Sequence, residues 1–283
     1  MILVTAPAGA AGFPIITELS RLNAPTRALL RDPAKASQWN LPNVQPFQGD
    51  LLDAASLESA MSGVDTLMLT TPPVPNQAEM DSAALAAAKK CGVRRIVKFS
   101  SAGADPKSPA RFCRGHGQGE KEIEKSGLTW THLRPTFFSQ NLFGMASMVK
   151  QGAIHFDAAD GKAPFVDLAD VAAVAGAVLT TSGHDHKRYE ITGPTAYGYG
   201  DIAAIFSRWL ERPVKYVPIS HAAAITALTG VGIPQWNAEG ITELSEEMAR
   251  GNFARPTDVV RRLTGKSPKS LECFLRENLA AFS

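Results

Sequence analysis

The first half of the chain alternates short apolar runs with amphipathic segments, and this alternation limits the folds that it can adopt. Continuous apolar strands separated by helices indicate βαβ units, whose parallel sheet is covered by helices on both faces. We therefore predict an α/β fold with a doubly wound parallel sheet of the Rossmann type. The predicted strands are Ile2–Val4, Thr26–Leu30, Val44–Gln48, Thr66–Thr70, Arg95–Phe99 and Thr129–Leu133, and the predicted helices are Gly12–Leu22, Leu57–Met61, Met80–Lys90 and Glu120–Lys125.

After Pro135 the pattern changes, and helical segments broken by prolines dominate. We predict one helix over Phe137–Val149. Short strands at Pro164–Val166 and Tyr189–Ile191 are predicted on either side of a helix at Val171–Thr180.

These patterns divide the chain into two parts. Residues 1–152 are predicted to form the Rossmann domain, to which residues 164–192 return. Residues 153–163 and 193–283 are predicted to form a smaller, mainly helical C-terminal region on the substrate side of the sheet.

The composition argues against several classes of protein. The 29 basic and 27 acidic residues leave a net charge of +2, which gives no electrostatic basis for binding nucleic acid or an anionic membrane surface. No run of about 18 apolar residues is present, so we expect no membrane span. The N-terminus lacks the basic segment of a signal peptide. The 3 cysteines form no CxxC pair, so we expect no disulfides, no metal site and a reducing, cytoplasmic setting.

The turn after the first strand, Thr5-Ala6-Pro7-Ala8-Gly9-Ala10-Ala11-Gly12, has the strand–turn–helix context of a dinucleotide-binding loop. The Gly9 and Gly12 spacing lets the backbone approach a pyrophosphate, and the following helix N-terminus supplies N–H donors. Two residues depart from the usual pattern, because Ala6 replaces a glycine and Pro7 lacks an N–H. The alternative is a tight turn that binds no ligand. The expected cofactor contacts are Thr5, Ala8, Gly9, Ala10, Ala11 and Gly12.

Arg31 follows the second predicted strand, where an acidic residue would accept the ribose 2′-hydroxyl of NAD. An arginine instead accommodates a 2′-phosphate, so this position predicts NADP(H) rather than NAD(H). The alternative is a solvated Arg31 that pairs with Asp32. After the third strand, Asp50 could accept a hydrogen bond from an adenine amine, or could N-cap the short helix that follows.

Polar residues end the fourth, fifth and sixth predicted strands, at the edge where doubly wound sheets bind ligands. These hydroxyl groups could touch a ribose, a nicotinamide or a substrate carbonyl. Each end alone would be an ordinary turn, but together beside a glycine loop they favour a cofactor cleft. The ends are Thr70-Thr71-Pro72-Pro73, Ser100-Ser101-Ala102-Gly103 and Arg134-Pro135-Thr136-Phe137.

Beyond these motifs, the chain resembles the NmrA-like family of atypical short-chain dehydrogenases/reductases, near its branch of NADPH:quinone reductases and triphenylmethane reductase. The resemblance extends over nearly the whole chain. The matching segments are Ile2–Thr5 with Gly9 and Gly12, Leu30–Lys35, Gly49-Asp50, Ser126–Thr131, Leu133–Pro135, Phe138–Leu142, Phe165–Ala172, Tyr189–Pro194 and Leu263–Pro268.

The resemblance implies that NADP(H) binds on the Gly9–Gly12 loop and on Arg31. It leaves the substrate open, because the family includes quinone reductases, dye and iminium reductases and catalytically silent dinucleotide-sensing regulators. The further cofactor contacts that it implies are Asp50, Thr70, Ser100 and Pro135, and the implied substrate-side residues are Phe137, Phe138 and Asn141.

Ordinary short-chain reductases carry a Tyr-xxx-Lys pair on the helix after the fifth strand. At that spacing this chain has His116 and Glu120, which would share one helix face. A carboxylate beside an imidazole raises the pKa of the imidazole, so the pair could donate a proton near neutral pH. The alternative is a surface His–Glu pair at the start of the helix.

Other polar and aromatic groups have simpler interpretations. His184-Asp185-His186 resembles a metal pair but lies in a polar loop, so we expect it to be solvated. Asp167 and Asp170 are predicted as the N-cap and first-turn acid of a helix. Five apolar side chains could form either a substrate wall or a helical core, namely Phe137, Phe138, Phe143, Met145 and Met148.

Three functions follow as alternatives. The first is an NADPH-dependent reductase that passes hydride to a planar, electrophilic and mostly apolar small molecule such as a quinone, a reaction in which placement matters more than acid catalysis. The second is a non-catalytic NADP(H)-sensing regulator that binds a partner protein. The third is a family member that has lost cofactor affinity through Ala6 and Pro7.

Overall fold

A seven-stranded parallel sheet forms the centre of the molecule, in the order β3-β2-β1-β4-β5-β6-β8. The structure is a computed structural model and describes residues 1–283. β7 and β9 form a separate two-stranded parallel sheet. The predicted doubly wound α/β fold is confirmed. The strands are β1 Ile2–Thr5, β2 Thr26–Leu30, β3 Val44–Gln48, β4 Thr66–Leu69, β5 Arg95–Phe99, β6 Thr129–Pro135, β7 Ala153–Phe156, β8 Lys187–Ile191 and β9 Lys215–Pro218.

Eleven α-helices surround the two sheets. No helix combines the length and the apolarity that crossing a membrane would require. The helices are α1 Gly12–Arg21, α2 Ala54–Met61, α3 Gln77–Lys90, α4 Arg111–Lys125, α5 Ala146–Lys150, α6 Leu168–Thr180, α7 Tyr199–Trp209, α8 His221–Gly230, α9 Gln235–Ala249, α10 Val259–Thr264 and α11 Leu271–Glu277.

Helices cover both faces of the large sheet, which explains the continuous apolar strands. Along β1, Leu3 faces a core formed with α2 and α3, and its neighbour Val4 faces a core formed with α1 and α6. Both side chains are fully buried. α10 packs on α6 and β8, so this late helix joins the Rossmann side rather than the smaller region.

A third core holds the C-terminal part of the chain together. Phe206 of α7 and Phe282 near the C-terminus are buried there, with ring centroids 4.7 Å apart. Phe143 stacks on Phe282 at 5.7 Å, and Met145 is buried in the same cluster. Met145 therefore belongs to the structural core, whereas Phe143 lies at its edge and is 39% exposed.

Two predicted elements after Pro135 were wrong. The single helix over Phe137–Val149 is instead a 3-10 helix at Ser139–Met145 followed by α5. The strand at Pro164–Val166 is reduced to an isolated bridge between Phe138 and Val166. The N–H of Val166 donates to the Phe137 carbonyl and the N–H of Ser139 donates to the Val166 carbonyl, so the chain at Phe137 and Phe138 is extended and the helix begins later than predicted.

α4 begins nine residues before the predicted start at Glu120, because its glycines serve packing rather than breaking the helix. A Cβ on Gly117 would overlap the backbone of Asp105, and a Cβ on Gly119 would lie 3.0 Å from Lys98 Cε. Glycine therefore lets α4 approach both the strand-end loop after β5 and the core of the sheet, at a cost in helix propensity.

Candidate active site

The switch point of the large sheet lies between β1 and β4, which pair with each other and continue in opposite directions across the sheet. Ligands of doubly wound sheets bind at this point, beyond the carboxyl ends of the strands. The predicted glycine loop begins there, directly after β1. The fold therefore gives the loop the position that a dinucleotide site requires.

The loop closes tightly between Ala6 and α1. Ala6 adopts a left-handed conformation with φ of 47°, and the N–H of Gly9 donates to its carbonyl at 3.1 Å. A Cβ on Gly12 would overlap that same carbonyl oxygen. Ala6 thus adopts the backbone conformation that glycine usually takes, and only glycine fits at position 12.

Several N–H groups of the loop have no acceptor within the protein. Pro7 is buried, so its lack of an N–H removes no donor from the exposed part of the turn. Unpaired N–H groups at the N-terminus of a ten-residue helix form a favourable site for a diphosphate. The groups concerned belong to Ala8, Ala10, Ala11 and Gly12.

Thr5 and Thr70 join the ends of β1 and β4. The Thr5 hydroxyl donates to the Thr70 carbonyl at 2.6 Å and accepts from the Thr70 N–H at 2.8 Å. The side chain of Thr5 is therefore occupied in positioning the two strands. The Thr70 hydroxyl is buried and has no hydrogen-bond partner in the protein.

Arg31 is exposed at the end of β2 and forms no ion pair or hydrogen bond within the protein. The alternative pairing with Asp32 does not form, and the Asp32 carboxylate accepts from the Ala34 N–H at 3.0 Å. Arg31 borders a cleft of about 610 Å³ that also includes Gln48 and Asp50. Its guanidinium is free to bind a phosphate group.

Asp50 does not cap α2, so that alternative was wrong. The N-cap is Asp53, whose carboxylate accepts from the Ala55 N–H at 3.1 Å. Asp50 instead accepts from the Leu52 N–H at 3.0 Å through one carboxylate oxygen. Its second oxygen makes no hydrogen bond or ion pair within the protein.

The predicted pair of His116 and Glu120 does not form. The Glu120 carboxylate accepts from the Ser100 hydroxyl at 2.6 Å and from the Arg134 guanidinium at 2.5 and 2.9 Å. Glu120 is almost fully buried, so Arg134 balances its charge inside the protein. The hydroxyl of Ser100, an expected cofactor contact, therefore donates its proton to a hydrogen bond within the protein. Pro135, the residue after Arg134, is buried beside it.

His116 contacts a different helix. Its Nδ1 lies 3.2 Å from Nε2 of Gln77 at the start of α3. Burial and the nearby charge of Lys98 hold the pKa of His116 well below its ordinary value, whereas the predicted pair would have raised it. Residues four apart on α4 share a helix face, but Glu120 pairs with Arg134 of β6. His116 instead contacts Gln77 of α3.

Glu120, Glu124 and His132 bring three possible metal-ligand atoms close together. Arg134 and Arg188 contact the two carboxylates. The negative charge is thus balanced by guanidinium groups, and this cluster stabilises the structure.

The predicted substrate-side residues do not form one surface. Phe137 is half-buried against Phe253, with ring centroids 5.4 Å apart. Phe138 lies on the other side and packs on Phe99 at 6.3 Å. Asn141 is exposed and its side chain makes no hydrogen bond in the protein. Of the three, only Phe137 packs against the core of the C-terminal part.

Phe253 and a buried polar network were not predicted. Phe253 is a single aromatic residue in a loop, and a Cβ on Gly103 would lie 2.9 Å from its ring. The network joins Lys98 and Asp81 to His116 through Thr71 and Gln77. A lysine within the apolar strand β5 was the one available signal, because such a residue needs a buried partner.

The other polar predictions had mixed outcomes. His184 is buried, with ring nitrogens 2.8 Å from the hydroxyls of Tyr189 and Thr181, so its predicted solvation was wrong. Asp167 is confirmed as the N-cap of α6, where it accepts from the Ala169 N–H at 2.8 Å. Asp170 lies in the first turn of α6, as predicted.

Comparison with known proteins gives matches over the whole chain. The model of the NmrA-like family matches residues 1–272. An NAD(P)H azoreductase of Xenophilus azovorans is 36% identical over 283 residues, which cover 100% of this chain and 99% of that protein. Quinone oxidoreductase 2 of Escherichia coli is 30% identical over 275 residues, which cover 96% of this chain and 96% of that protein.

A solved structure has the same fold. The crystal structure of the NADPH-dependent quinone oxidoreductase QOR2 from Escherichia coli, complexed with NADPH, matches with a TM-score of 0.92 and 29% identity over 99% of this chain and 100% of that chain. The resemblance found in the sequence motifs is thereby confirmed. This chain belongs to the NmrA-like family.

Proposed function

We propose that this chain is an NADPH-dependent oxidoreductase whose substrate is a planar, electrophilic and mostly apolar molecule, with quinones as the first class. NADPH supplies a hydride when bound. One hydride and one proton convert a quinone to a hydroquinone and leave NADP⁺. The protein has to bind the two molecules, orient them and exclude water from the contact.

The arrangement of the glycine loop and Arg31 carries this proposal. The loop offers unpaired N–H groups to a diphosphate, and Arg31 offers an unpaired guanidinium at the end of the neighbouring strand. Asp50 and the Thr70 hydroxyl add a free carboxylate oxygen and an unpartnered donor. These groups match a diphosphate, a 2′-phosphate, an adenine amine and a ribose.

The acid chemistry of the site favours an electrophilic substrate. The lowered pKa of His116 leaves its ring neutral near neutral pH, so it carries no imidazolium proton to give up. Glu120 is held by Arg134 and Ser100 and does not contact His116. A simple ketone needs an acid to accept hydride, whereas a quinone or an azo compound is already conjugated and electrophilic. The names of the azoreductase and quinone oxidoreductase relatives support the same class of substrate.

The half-buried ring of Phe137 supports an apolar, planar substrate. It meets the buried ring of Phe253 edge to face at 80°, beside the loop that follows β5. Aromatic surfaces of this kind favour flat, conjugated molecules.

We place the reaction in a reducing, cytoplasmic setting, which the three free cysteines support.

The test is NADPH consumption by the purified protein with a panel of quinones, an azo dye and an unactivated ketone. We expect turnover with quinones, weaker turnover with the azo dye and none with the ketone. Tight NADPH binding without turnover of any compound would favour the regulatory alternative. Absence of NADPH binding would support the alternative in which Ala6 and Pro7 have abolished cofactor affinity.

A further inference from the structure

A buried chain of polar side chains leads from the middle of the sheet to His116. Lys98 Nζ lies 2.6 Å from Asp81 Oδ2, and both side chains are fully buried. Thr71 Oγ1 lies 3.1 Å from Asp81 Oδ1 and 3.2 Å from Gln77 Nε2. The same Gln77 Nε2 lies 3.2 Å from His116 Nδ1. Every member except His116 is buried.

The ion pair between Lys98 and Asp81 determines the direction of each hydrogen bond in this network. Asp81 is ionised against Lys98 and can only accept, so the single hydroxyl proton of Thr71 goes to Asp81. The Thr71 oxygen must then accept from Gln77, and the group that faces it is the amide NH₂. The second proton of that NH₂ points to His116 Nδ1, which is therefore the unprotonated nitrogen.

An accepting Nδ1 places the proton of a neutral imidazole on Nε2. The His116 side chain is half-buried, and Nε2 has no partner within the protein. Thr71 directly follows Thr70 at the end of β4, so the network lies at the ligand-binding edge of the sheet. The Nε2–H group is therefore a donor without a partner in the protein, in a half-buried side chain close to this edge.

We propose that His116 is a neutral Nε2–H hydrogen-bond donor to the electron-accepting substrate, and that Gln77 is the positioning residue that holds this tautomer. The identity of the ligand rests on the proposed function, whereas the tautomer follows from the protein alone. A fixed neutral donor stabilises the negative charge that develops on a quinone oxygen or an azo nitrogen as hydride arrives. The lowered pKa of His116 agrees with a neutral ring.

The shape of α4 supports this role for the network. A Cβ on Gly119 would press on both Asp81 and Lys98, and a Cβ on Gly115 would contact the Gln77 side-chain oxygen. Gly115 and Gly119, on one face of α4, therefore let the helix pack closely on Gln77 and on the Lys98–Asp81 ion pair. This close approach brings His116 within reach of the Gln77 amide.

The tautomer can be measured directly in the holoprotein. A long-range proton–nitrogen NMR spectrum of protein labelled with nitrogen-15 histidine, with NADP⁺ bound near neutral pH, distinguishes the two neutral tautomers and the imidazolium. The spectrum of His116→Asn identifies the His116 signals. We expect a protonated Nε2 and an unprotonated Nδ1. A protonated Nδ1, or an imidazolium, would overturn the proposal.

Gln77→Glu tests the donor that holds the tautomer. A carboxylate cannot donate, so it accepts from Nδ1 and the ring proton moves from Nε2. We expect the changed tautomer in the spectrum and a fall of about 100-fold in kcat with a quinone, the typical effect of losing one such donor. Gln118→Glu adds the same charge at an exposed position of α4 and should change neither readout.

Two further outcomes separate this proposal from the proposed function. An unchanged Nε2–H tautomer in Gln77→Glu would overturn the positioning role of Gln77. The expected tautomers without turnover of any substrate would support the network and contradict the reductase activity. If Gln77→Glu does not fold, Thr71→Val replaces it, because an amide without its Thr71 partner can rotate and both neutral tautomers should then appear.

Discussion

The carbonyl oxygen of Ala6 occupies the space in which a side chain on Gly12 would have to lie. This contact closes the loop after β1 and presents the N–H groups of the following turn to solvent. The loop therefore depends on a left-handed residue at position 6 and a residue without a side chain at position 12. Both conditions lead to predictions.

Gly12→Ala should weaken NADPH binding by at least about tenfold, because the overlapping backbone must move and the N–H groups lose their common direction. The measurement is a calorimetric titration with NADPH. Gly200→Ala is the matched control, since its Cβ would meet no atom within 4 Å. Equal affinities of Gly12→Ala and the wild type would show that the loop does not hold the cofactor.

Ala6→Gly should raise the free energy of unfolding by about 1 kcal/mol, because glycine adopts a positive φ without the Cβ penalty. Ala159→Gly is the matched control, since Ala159 has a φ of 44° and lies far from the loop in sequence. Both variants should gain stability in urea unfolding. Unchanged NADPH affinity in Ala6→Gly would show that the natural alanine is compatible with binding.

His132 should make the protein less stable in mild acid. It is fully buried without a hydrogen bond on either ring nitrogen, and burial lowers its pKa to about 4. The unfolded chain, with a pKa near 6.5, binds a proton that the folded protein excludes. The free energy of unfolding should therefore fall between about pH 6.5 and pH 4, with a contribution from His132 of about 3 kcal/mol at most.

Urea unfolding across this pH range measures the effect. His132→Asn should reduce the slope of stability against pH, whatever its effect on stability at neutral pH. His155→Asn removes an exposed histidine and should keep the slope of the wild type. A wild-type slope in His132→Asn would show that another group is responsible.

Glu120→Gln should lower the free energy of unfolding by about 3 kcal/mol, because it leaves the largely buried Arg134 without its counter-charge. Glu122→Gln makes the same change two residues further along α4, where the carboxylate accepts from the Ser82 hydroxyl near solvent. That control should change stability by less than about 0.5 kcal/mol. Equal stabilities of the two variants would contradict a structural role for Glu120.

The sheet could be predicted because burial on both faces leaves a strand apolar at every position, as at Leu3 and Val4. The glycine loop and Arg31 could be predicted because their chemistry depends on local order along the chain. The start of α4 could not be predicted, because its glycines disfavour a helix locally and are explained by contacts with residues outside the helix, such as Asp105. The partners of His116 and Glu120 could not be predicted either, because they lie on other elements of the fold.

The proposed function requires that the glycine loop and Arg31 bind NADPH. Calorimetric titration with NADPH and NADH, on the wild type and on Arg31→Ala, measures this binding, with Arg21→Ala as a control because that arginine pairs with Glu18. We predict that the wild type prefers NADPH by at least about tenfold and that only Arg31→Ala loses this preference. Equal binding of both cofactors by the wild type, or an unchanged preference in Arg31→Ala, would show that Arg31 does not bind the 2′-phosphate of NADPH.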